Sequence, residues 1–331
     1  MYKKVNISKI ASDLGISVST VSRALSGKGR ISEITRKRIE EYLAEKELVP
    51  NIREKKYTDT VTKVISVVIP EKEYFVKMLF FYNIFFSVYD YFSIRGYQVQ
   101  MIKVVHTDIS DLVKAVETHA MDGVILAKFL GRDRAVNYLK EKGVPFVVLE
   151  SYEDSSILQV DVDYENASNE ITNALISKGF HRLAVMCDNR DNPVNERKLK
   201  GILSAHVQNY MVLDRNFIFY DTEFENVAEM VIKQVTNAKM DCILCMDDYI
   251  CMVILKVLKK MKMDVPGDIR IASLQGSALL QEWYPSVSCI FFNVEQMGKE
   301  ASRMLYACLT EHKFLPRMVL GYELRMRDST N

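Results

Sequence analysis

Residues 6–26, NISKIASDLGISVSTVSRALS, decide how the chain is read. They hold two short helical patterns separated by Gly15. In the first, Asn6 is a candidate N-cap, and Ile7, Ile10, Ala11 and Leu14 fall on one face at helical spacing. Gly15 gives the permissive backbone that a sharp turn needs. Ser17 is placed to cap a second helix, whose apolar face is Val21, Ala24 and Leu25, with Ile16 just ahead of the cap. The opposite face presents Val18, Ser19, Ser22 and Arg23. It is small and polar with one long cation, which suits a helix laid in a major groove.

The longer run ISVSTVSRALSGKGRISEITRKRIEEYL, residues 16–43, resembles the DNA-binding headpiece of the lactose-repressor (LacI/GalR) family of bacterial transcription regulators. The family pattern V-S-x-x-T-V-S-R-x-L-N is met by Ile16, Ser17, Thr20, Val21, Ser22, Arg23 and Leu25, with Ser26 at the Asn position. Its following V-S-x-x-T-R is met by Ile31, Ser32, Thr35 and Arg36. A bare helix-turn-helix pattern is weak, since many helix pairs fit it; this long ordered match is far more specific. The resemblance implies base contacts from Val18, Ser19 and Arg23. It implies phosphate contacts from Asn6, Ser17, Thr20, Ser22, Ser32 and Thr35.

Composition fits that direction. The chain has 331 residues, 48% apolar and 26% charged, enough for two or three domains. The net charge of +1 hides an asymmetry. Residues 1–30 carry +5, residues 31–60 balance, and the rest sums to −4. A basic head on a mildly acidic body is the electrostatic footprint of a nucleic-acid binder. The opening MYKKVNISKI has no apolar run of signal-peptide length, and the most apolar stretch, Met78 to Phe92, is broken by Asn83 and Asp90. The expectation is a cytoplasmic protein with no membrane partner. Of the six cysteines, Cys242 and Cys245 form a C-x-x-C inside what reads as a buried strand. Residues three apart on a strand point to opposite faces, so reduced buried thiols are expected rather than a metal or redox pair. No cofactor is expected.

Ser32 is placed to cap a third helix, with Ile34, Ile39, Tyr42 and Leu43 as its packing face. The basic loop Gly27–Arg30 is placed to meet phosphate, and Pro50 ends the headpiece, residues 1–50. Residues 51–62 form a polar hinge or linker. In the family this stretch wedges a Leu into the minor groove, from a pattern P-N-x-x-A-R-x-L. Pro50 and Asn51 match, but Glu54, Lys55 and Tyr57 stand at the Ala, Arg and Leu positions. Tyr57 as a wedge and the stretch as a plain tether both remain open, because aromatic wedges also unstack base steps.

From Lys63 the pattern alternates strand and helix. The expected strands are 64–70, 99–105, 123–127 and 144–149, then 183–187, 217–220, 242–246 and 269–273. Such alternation argues for parallel sheets covered by helices. The fold expected is an all-α helix-turn-helix headpiece followed by an α/β core, residues 63–331, resembling the bilobed periplasmic-binding-protein-like core of the same family. Its motifs are echoed by Met121–Ile125, Gly143–Pro145, Lys178–His181, Asp264–Ile269 and Pro285–Ser288. Each lobe would be a doubly wound parallel sheet. The resemblance places the N-lobe at about 62–161 plus 293–322 and the C-lobe at about 162–292, with the last strand returning across the hinge.

In that family an effector binds in the cleft between lobes, at the carboxyl ends of the strands. The positions carried over are Phe80, Phe81, Asp163, Lys198, Asp248 and Gln275. Core packing for the phenylalanines and helix capping for Asp247 are the plainer alternatives. Two departures stand out. Lys198, with Gly201, takes the place of a clamping Arg, and Ser273-Leu274-Gln275-Gly276 replaces G-F-D-D. A point charge and an amide thus replace a planar fork and a carboxylate, which argues for an altered ligand. The apolar helix around 78–92 needs a second cover, and a subunit interface suits it.

The reading is a homodimeric regulator, with repression as the expected mode, of a pseudo-palindromic double-stranded operator, tuned by a small-molecule effector for which a sugar-related class stays open. A regulator answering to a protein partner is the alternative. An enzyme is disfavoured, because no nucleophile elbow, phosphate loop or metal spacing appears. A pure solute-binding protein would normally need an export signal.

Overall fold

The computed structural model describes residues 7–26, 32–45, 61–71, 75–105, 108–127, 134–150, 152, 154, 156–190, 192–310 and 316–331. The basic loop Gly27–Arg30, Pro50 and the hinge with Glu54, Lys55 and Tyr57 lie outside these residues.

The amino-terminal part is three helices, α1 (Ile7–Leu14), α2 (Val18–Ser26) and α3 (Glu33–Glu45). Gly15 adopts φ +64° and closes α1, with the Ile16 amide donating to the Ala11 carbonyl at 3.0 Å. That left-handed closure is what glycine permits and what turns the chain sharply into α2. Ile10, Ala11, Val21, Ala24 and Ile39 form the core, with Leu14, Ile16 and Tyr42 partly buried around it. Tyr42 donates to the Asp13 carboxylate, and Arg38 donates to the Leu14 carbonyl at 3.0 Å, pinning α3 across the α1–α2 turn. Ile34 departs from expectation: it is 76% exposed, since α3 packs through the Ile39–Tyr42 side and its first turn stands clear.

The remaining elements run β1 (Val64–Pro70), α4 (Phe75–Ser93), β2 (Gln98–Val104), α5 (Ser110–Glu117), β3 (Gly123–Leu126), α6 (Arg134–Lys142), β4 (Phe146–Leu149) and β5 (Leu158–Val162). Then come α7 (Tyr164–Ser177), β6 (Leu183–Met186), α8 (Pro193–Gln208), β7 (Ile218–Phe219), α9 (Glu225–Asn237), β8 (Cys242–Cys245), α10 (Asp248–Lys260), β9 (Arg270–Ser273), α11 (Ala278–Glu282) and β10 (Ser288–Phe291). The chain ends with α12 (Val294–Thr310), β11 (Arg317–Leu320) and β12 (Glu323–Arg325). By contact it divides into two compact units, Met1–Val162 with Asn293–Leu320, and Asp163–Phe292 with Gly321–Asn331.

The first unit holds a six-stranded sheet in the order β11-β5-β4-β3-β1-β2, parallel throughout. The second holds β12-β10-β9-β8-β6-β7, parallel except for β12 against β10. Strands such as CILC and LAVM are buried at every position, as sheets covered on both faces require. β5 was not foreseen in the sequence. Its LQVDV carries Gln159 and Asp161, yet both are buried. Gln159 accepts the Tyr152 amide at 2.9 Å, and Asp161 pairs with Arg317 of β11 at 3.0 Å, so each polar group is matched inside the sheet. The expected 217–220 strand shrinks to β7, because Arg215–Phe217 forms a 3-10 turn capped by Asp214.

α12 crosses α4 closely. A Cβ on Gly298 would lie 2.7 Å from Ser87 Cβ and 3.1 Å from the Ile84 carbonyl. Both neighbours belong to the helix wall, so overpacking has no flexible side chain to displace. Gly298→Ala is therefore expected to destabilise the chain by about 1–3 kcal/mol in a denaturant titration; an unchanged midpoint would show that the two helices can separate freely.

Candidate functional site

The headpiece carries one surface. Ser17 caps α2, with its hydroxyl accepting the Thr20 amide at 3.0 Å. The same oxygen lies 2.8 Å from Ser19 Oγ and 2.7 Å from Thr20 Oγ1. Ser32 repeats the device on α3, accepting the Thr35 amide at 3.2 Å with Thr35 Oγ1 at 2.7 Å. Two helix N-termini thus offer hydroxyls and amide dipoles, the polarity that attracts phosphate. Val18 is half exposed, and Ser19 and Arg23 are exposed, on the side of α2 away from buried Val21 and Ala24. The residues expected to reach bases therefore share one open face. Asn6, Lys55, Tyr57 and the Ser22 side chain lie outside the described part of the chain.

The second unit gathers polar groups where its parallel strands end. β6 runs into Asp188 and Asn189, β8 into Asp247 and Asp248, and β9 into Gln275. Lys198 on α8 is buried, and its ammonium donates to the Met246 carbonyl at 2.6 Å. The ammonium also lies 5.2 Å from the Tyr164 ring, as does the Arg197 guanidinium, and Tyr164 meets Phe292 edge to face. Lys198 is thus tied to the end of β8 by a bond that its position as a clamp did not foretell. Its companion Gly201 has a packing role, since any Cβ there would collide with the Glu165 carbonyl of α7.

Asp163 caps α7, accepting the Asn166 amide at 3.4 Å and the Asn166 side-chain amide at 2.6 Å. Asp247 caps α10 through the Ile250 amide at 2.7 Å. Asp248 is buried beside it. Burial first, and the Asp247 charge second, push its carboxyl up to about 6, against the Ser277 hydroxyl and neighbouring amides. Gln275 is half buried, with its backbone amide on Ser273 Oγ at 3.3 Å. Gly276 follows it because any Cβ there would press on Cys289 Sγ and the Ile290 carbonyl.

Sequence reasoning missed the run Asp188–Asn195. Asn192 caps α8 by accepting the Val194 amide at 3.1 Å, with Pro193 in the first helical position. Buried Asn195 donates to the Asp188 carboxylate, and Asn192 reaches the same oxygen at 3.4 Å. The Asn-Pro pair before an amphipathic run was the available signal. Phe80 and Phe81 belong to the first unit, on α4, packed edge to face at 5.3 Å. Phe81 sits in the core at 4% exposure, while Phe80 is half buried. All six cysteines are free and buried, and burial pushes Cys187 up to about 12. Among the described residues no group of three or more His, Cys, Asp or Glu side chains could hold a metal ion, and no helix is long and apolar enough to cross a membrane.

Residues 6–51 match the family described as bacterial regulatory proteins, lacI family, and residues 172–330 match the periplasmic binding protein-like domain. The chain is a member of the LacI family of bacterial transcription regulators. This LacI-family chain is 24% identical to catabolite control protein A of Staphylococcus xylosus, covering 98% of this chain and 99% of that one. It is 25% identical to the HTH-type transcriptional regulator RegA of Clostridium saccharobutylicum, with the same coverage. Among solved structures it superposes on a transcriptional regulator CelR–cellobiose complex with a TM-score of 0.71, at 23% identity, covering 98% of this chain and all of that one. It also superposes on a putative LacI regulator from Bacillus cereus subsp. cytotoxis at TM-score 0.73 and 24% identity, covering 81% of this chain and 98% of that one. This LacI-family regulator accordingly has a DNA-binding headpiece and a periplasmic-binding-protein-like core, and the relatives it matches are transcription regulators.

Asp248 gives this site a pH signature. Its folded pKa of about 6 lies above the ordinary 3.8, so between those values the folded chain keeps a proton that the unfolded chain has lost, and above both the ionised carboxyl is held buried at a cost. Its contribution is full below the unfolded value and is lost as pH rises through the folded one. Asp248→Asn is thus expected to stabilise the full chain near neutral pH, by at most about 3 kcal/mol, and hardly at all near pH 4. Denaturant midpoints of both forms across that range check it, and an equal gain at both ends would contradict it.

Proposed function

We propose that the protein reads a pseudo-palindromic double-stranded operator as a homodimer, in the cytoplasm, and acts by binding rather than by turnover. Its working parts are a headpiece at 1–50, a hinge at 51–62 and a core at 63–331. The observation that carries this reading is the open face of α2. Val18 and Ser19 are small enough for close approach to base edges, and exposed Arg23 has the planar fork suited to a guanine. Ser17, Thr20, Ser32 and Thr35 fix the register on phosphates. A second support comes from α4, where Tyr82, Phe86 and Tyr89 recur at helical spacing with 37%, 59% and 47% exposure. Such a stripe suits burial against its own copy in a two-fold pair, and two headpieces so related would face two half-sites.

The polar ends of β6, β8 and β9 suit a small hydroxylated effector. The CelR neighbour is a complex with cellobiose, which favours a sugar as the first class to try. Lys198 bound to a carbonyl, and Gln275-Gly276 in place of two carboxylates, favour a ligand held mainly by amides and by Asp248.

Arg23→Ala is expected to weaken binding to a selected operator by about 1–3 kcal/mol more than binding to random duplex, measured by competition titration. Equal losses on the two duplexes would remove Arg23 from base reading. For the effector, a panel of mono- and disaccharides added to the full chain is expected to include at least one that raises the melting temperature through preferential binding to the folded state. Gln275→Ala should abolish that rise. A panel without any shift would favour control by a protein partner.

A further inference from the structure

We propose that the amino-end edge of the sheet in the first unit is a second, sequence-independent DNA surface, in which Lys63, Arg95 and Lys142 contact phosphates flanking the operator. This rests on the operator-binding reading above and adds a contact outside the headpiece.

The placement follows from topology. β2, β1, β3 and β4 are parallel neighbours, so their amino ends share one edge. Lys63 immediately precedes β1, and its carbonyl accepts the Gln98 amide at 2.7 Å, beside the start of β2. Arg95 lies in the turn between α4 and β2, and Lys142 closes α6 just before β4. β1 and β4 are separated by one strand, which puts their ends about 10 Å apart. This is also the edge at which the chain arrives from the headpiece. From Glu45 to Lys63 it can extend no more than about 60 Å, so DNA held by α2 stays within tether reach.

Each of the three cations is held over an aromatic ring. Lys63 lies 4.3 Å from the Tyr97 ring, Arg95 lies 3.8 Å from the Tyr91 ring, and Lys142 lies 5.5 Å from the Tyr138 ring. Arg95 also donates to the Tyr91 carbonyl at 2.6 Å. Among the described residues none of the three makes an ion pair. An aromatic face orients a cation without cancelling its charge, whereas a carboxylate would do both. The acids nearby are mostly engaged. Asp122 accepts the Thr62 and Lys63 amides at 2.7 and 2.9 Å, and Asp154 is paired with Lys140 at 2.6 Å. Glu117 and Glu141 lie near enough to Tyr138 to add to the upward push that burial gives its hydroxyl, and Glu300 adds in the same way at Tyr91, where it is paired with Arg303 at 2.8 Å. What remains is positive charge, ordered in place along the edge at which the chain arrives from the headpiece, with Arg95 half-buried between the Tyr91 and Tyr306 rings.

The test uses the full chain and two duplexes, one selected by the protein from a random pool with long flanks, the other of random sequence. Each phosphate neutralised steepens the dependence of log K on log salt by about 0.9. The triple variant Lys63→Gln, Arg95→Gln, Lys142→Gln removes three cations from each subunit and is expected to flatten that slope by about 2 to 3 per subunit, about 5 for the dimer, on both duplexes, with the preference for the selected one unchanged. The charge-keeping set Lys63→Arg, Arg95→Lys, Lys142→Arg should retain the original slope, and the denaturant midpoint confirms that each variant is folded. An unchanged slope in the folded triple variant, or an equal loss in the charge-keeping set, overturns the proposal. Failure of the wild-type chain to prefer any duplex would instead overturn the operator reading, while the slope on random DNA still decides the present one.

Discussion

Parallel strand pairing is the constraint on which the rest of the molecule depends. When strands share a direction, every amino end lies on one edge of a sheet and every carboxyl end on the other. In the first unit the amino edge receives the chain from the headpiece at Lys63, and Asp122 caps that arrival through the Thr62 and Lys63 amides. In the second unit the carboxyl edge collects Asp188, Asp247, Asp248 and Gln275 from strands that are distant in sequence. Polar groups placed there meet helix N-termini, which is why Asn192 and Asp247 serve as caps, as Asp163 does where the chain leaves β5 of the first unit's sheet. The same geometry that builds the fold therefore sorts the charged chemistry onto two opposite kinds of edge.

Within the carboxyl edge, burial decides what each charge can do. Lys198 has the position of a ligand clamp, yet its ammonium is held by the Met246 carbonyl and flanked by the Tyr164 ring. A buried ammonium needs such partners, because an unpaired charge in an apolar setting costs several kcal/mol, by the order of magnitude usual for desolvated ions. Asp248 meets the same condition by moving its pKa upward instead. Gly201 and Gly276 show the steric side of the matter: one lets α8 approach the α7 backbone, the other lets the β9 end pass Cys289.

The sequence made some of this legible and hid the rest for physical reasons. The headpiece could be read almost residue by residue, since Gly15, Ser17, Val21 and Ala24 act through local backbone and helical spacing. Ile34 misled because hydrophobicity says nothing about which turn of a helix reaches its neighbours. The all-apolar strands announced themselves. β5 did not, because Gln159 and Asp161 look like surface residues until Tyr152 and Arg317 supply their partners from elsewhere. The tethering of Lys198 was illegible in the same sense, as its partner is a backbone carbonyl many residues away. The cation–ring pairs of the amino edge combine neighbours in sequence, Tyr91 with Arg95 and Tyr138 with Lys142, with a cross-strand pair, Lys63 with Tyr97, that only the register reveals.

Operator reading, as proposed, needs two copies of the α2 face, related by a two-fold axis, against base edges. The most direct measurement is selection of binding sites by the purified full chain from a pool of random duplexes, followed by sequencing. The expected outcome is enrichment of an inverted repeat with two related half-sites. Recovery of sequences indistinguishable from the starting pool, or of a single unrepeated half-site bound by a monomer, would contradict it.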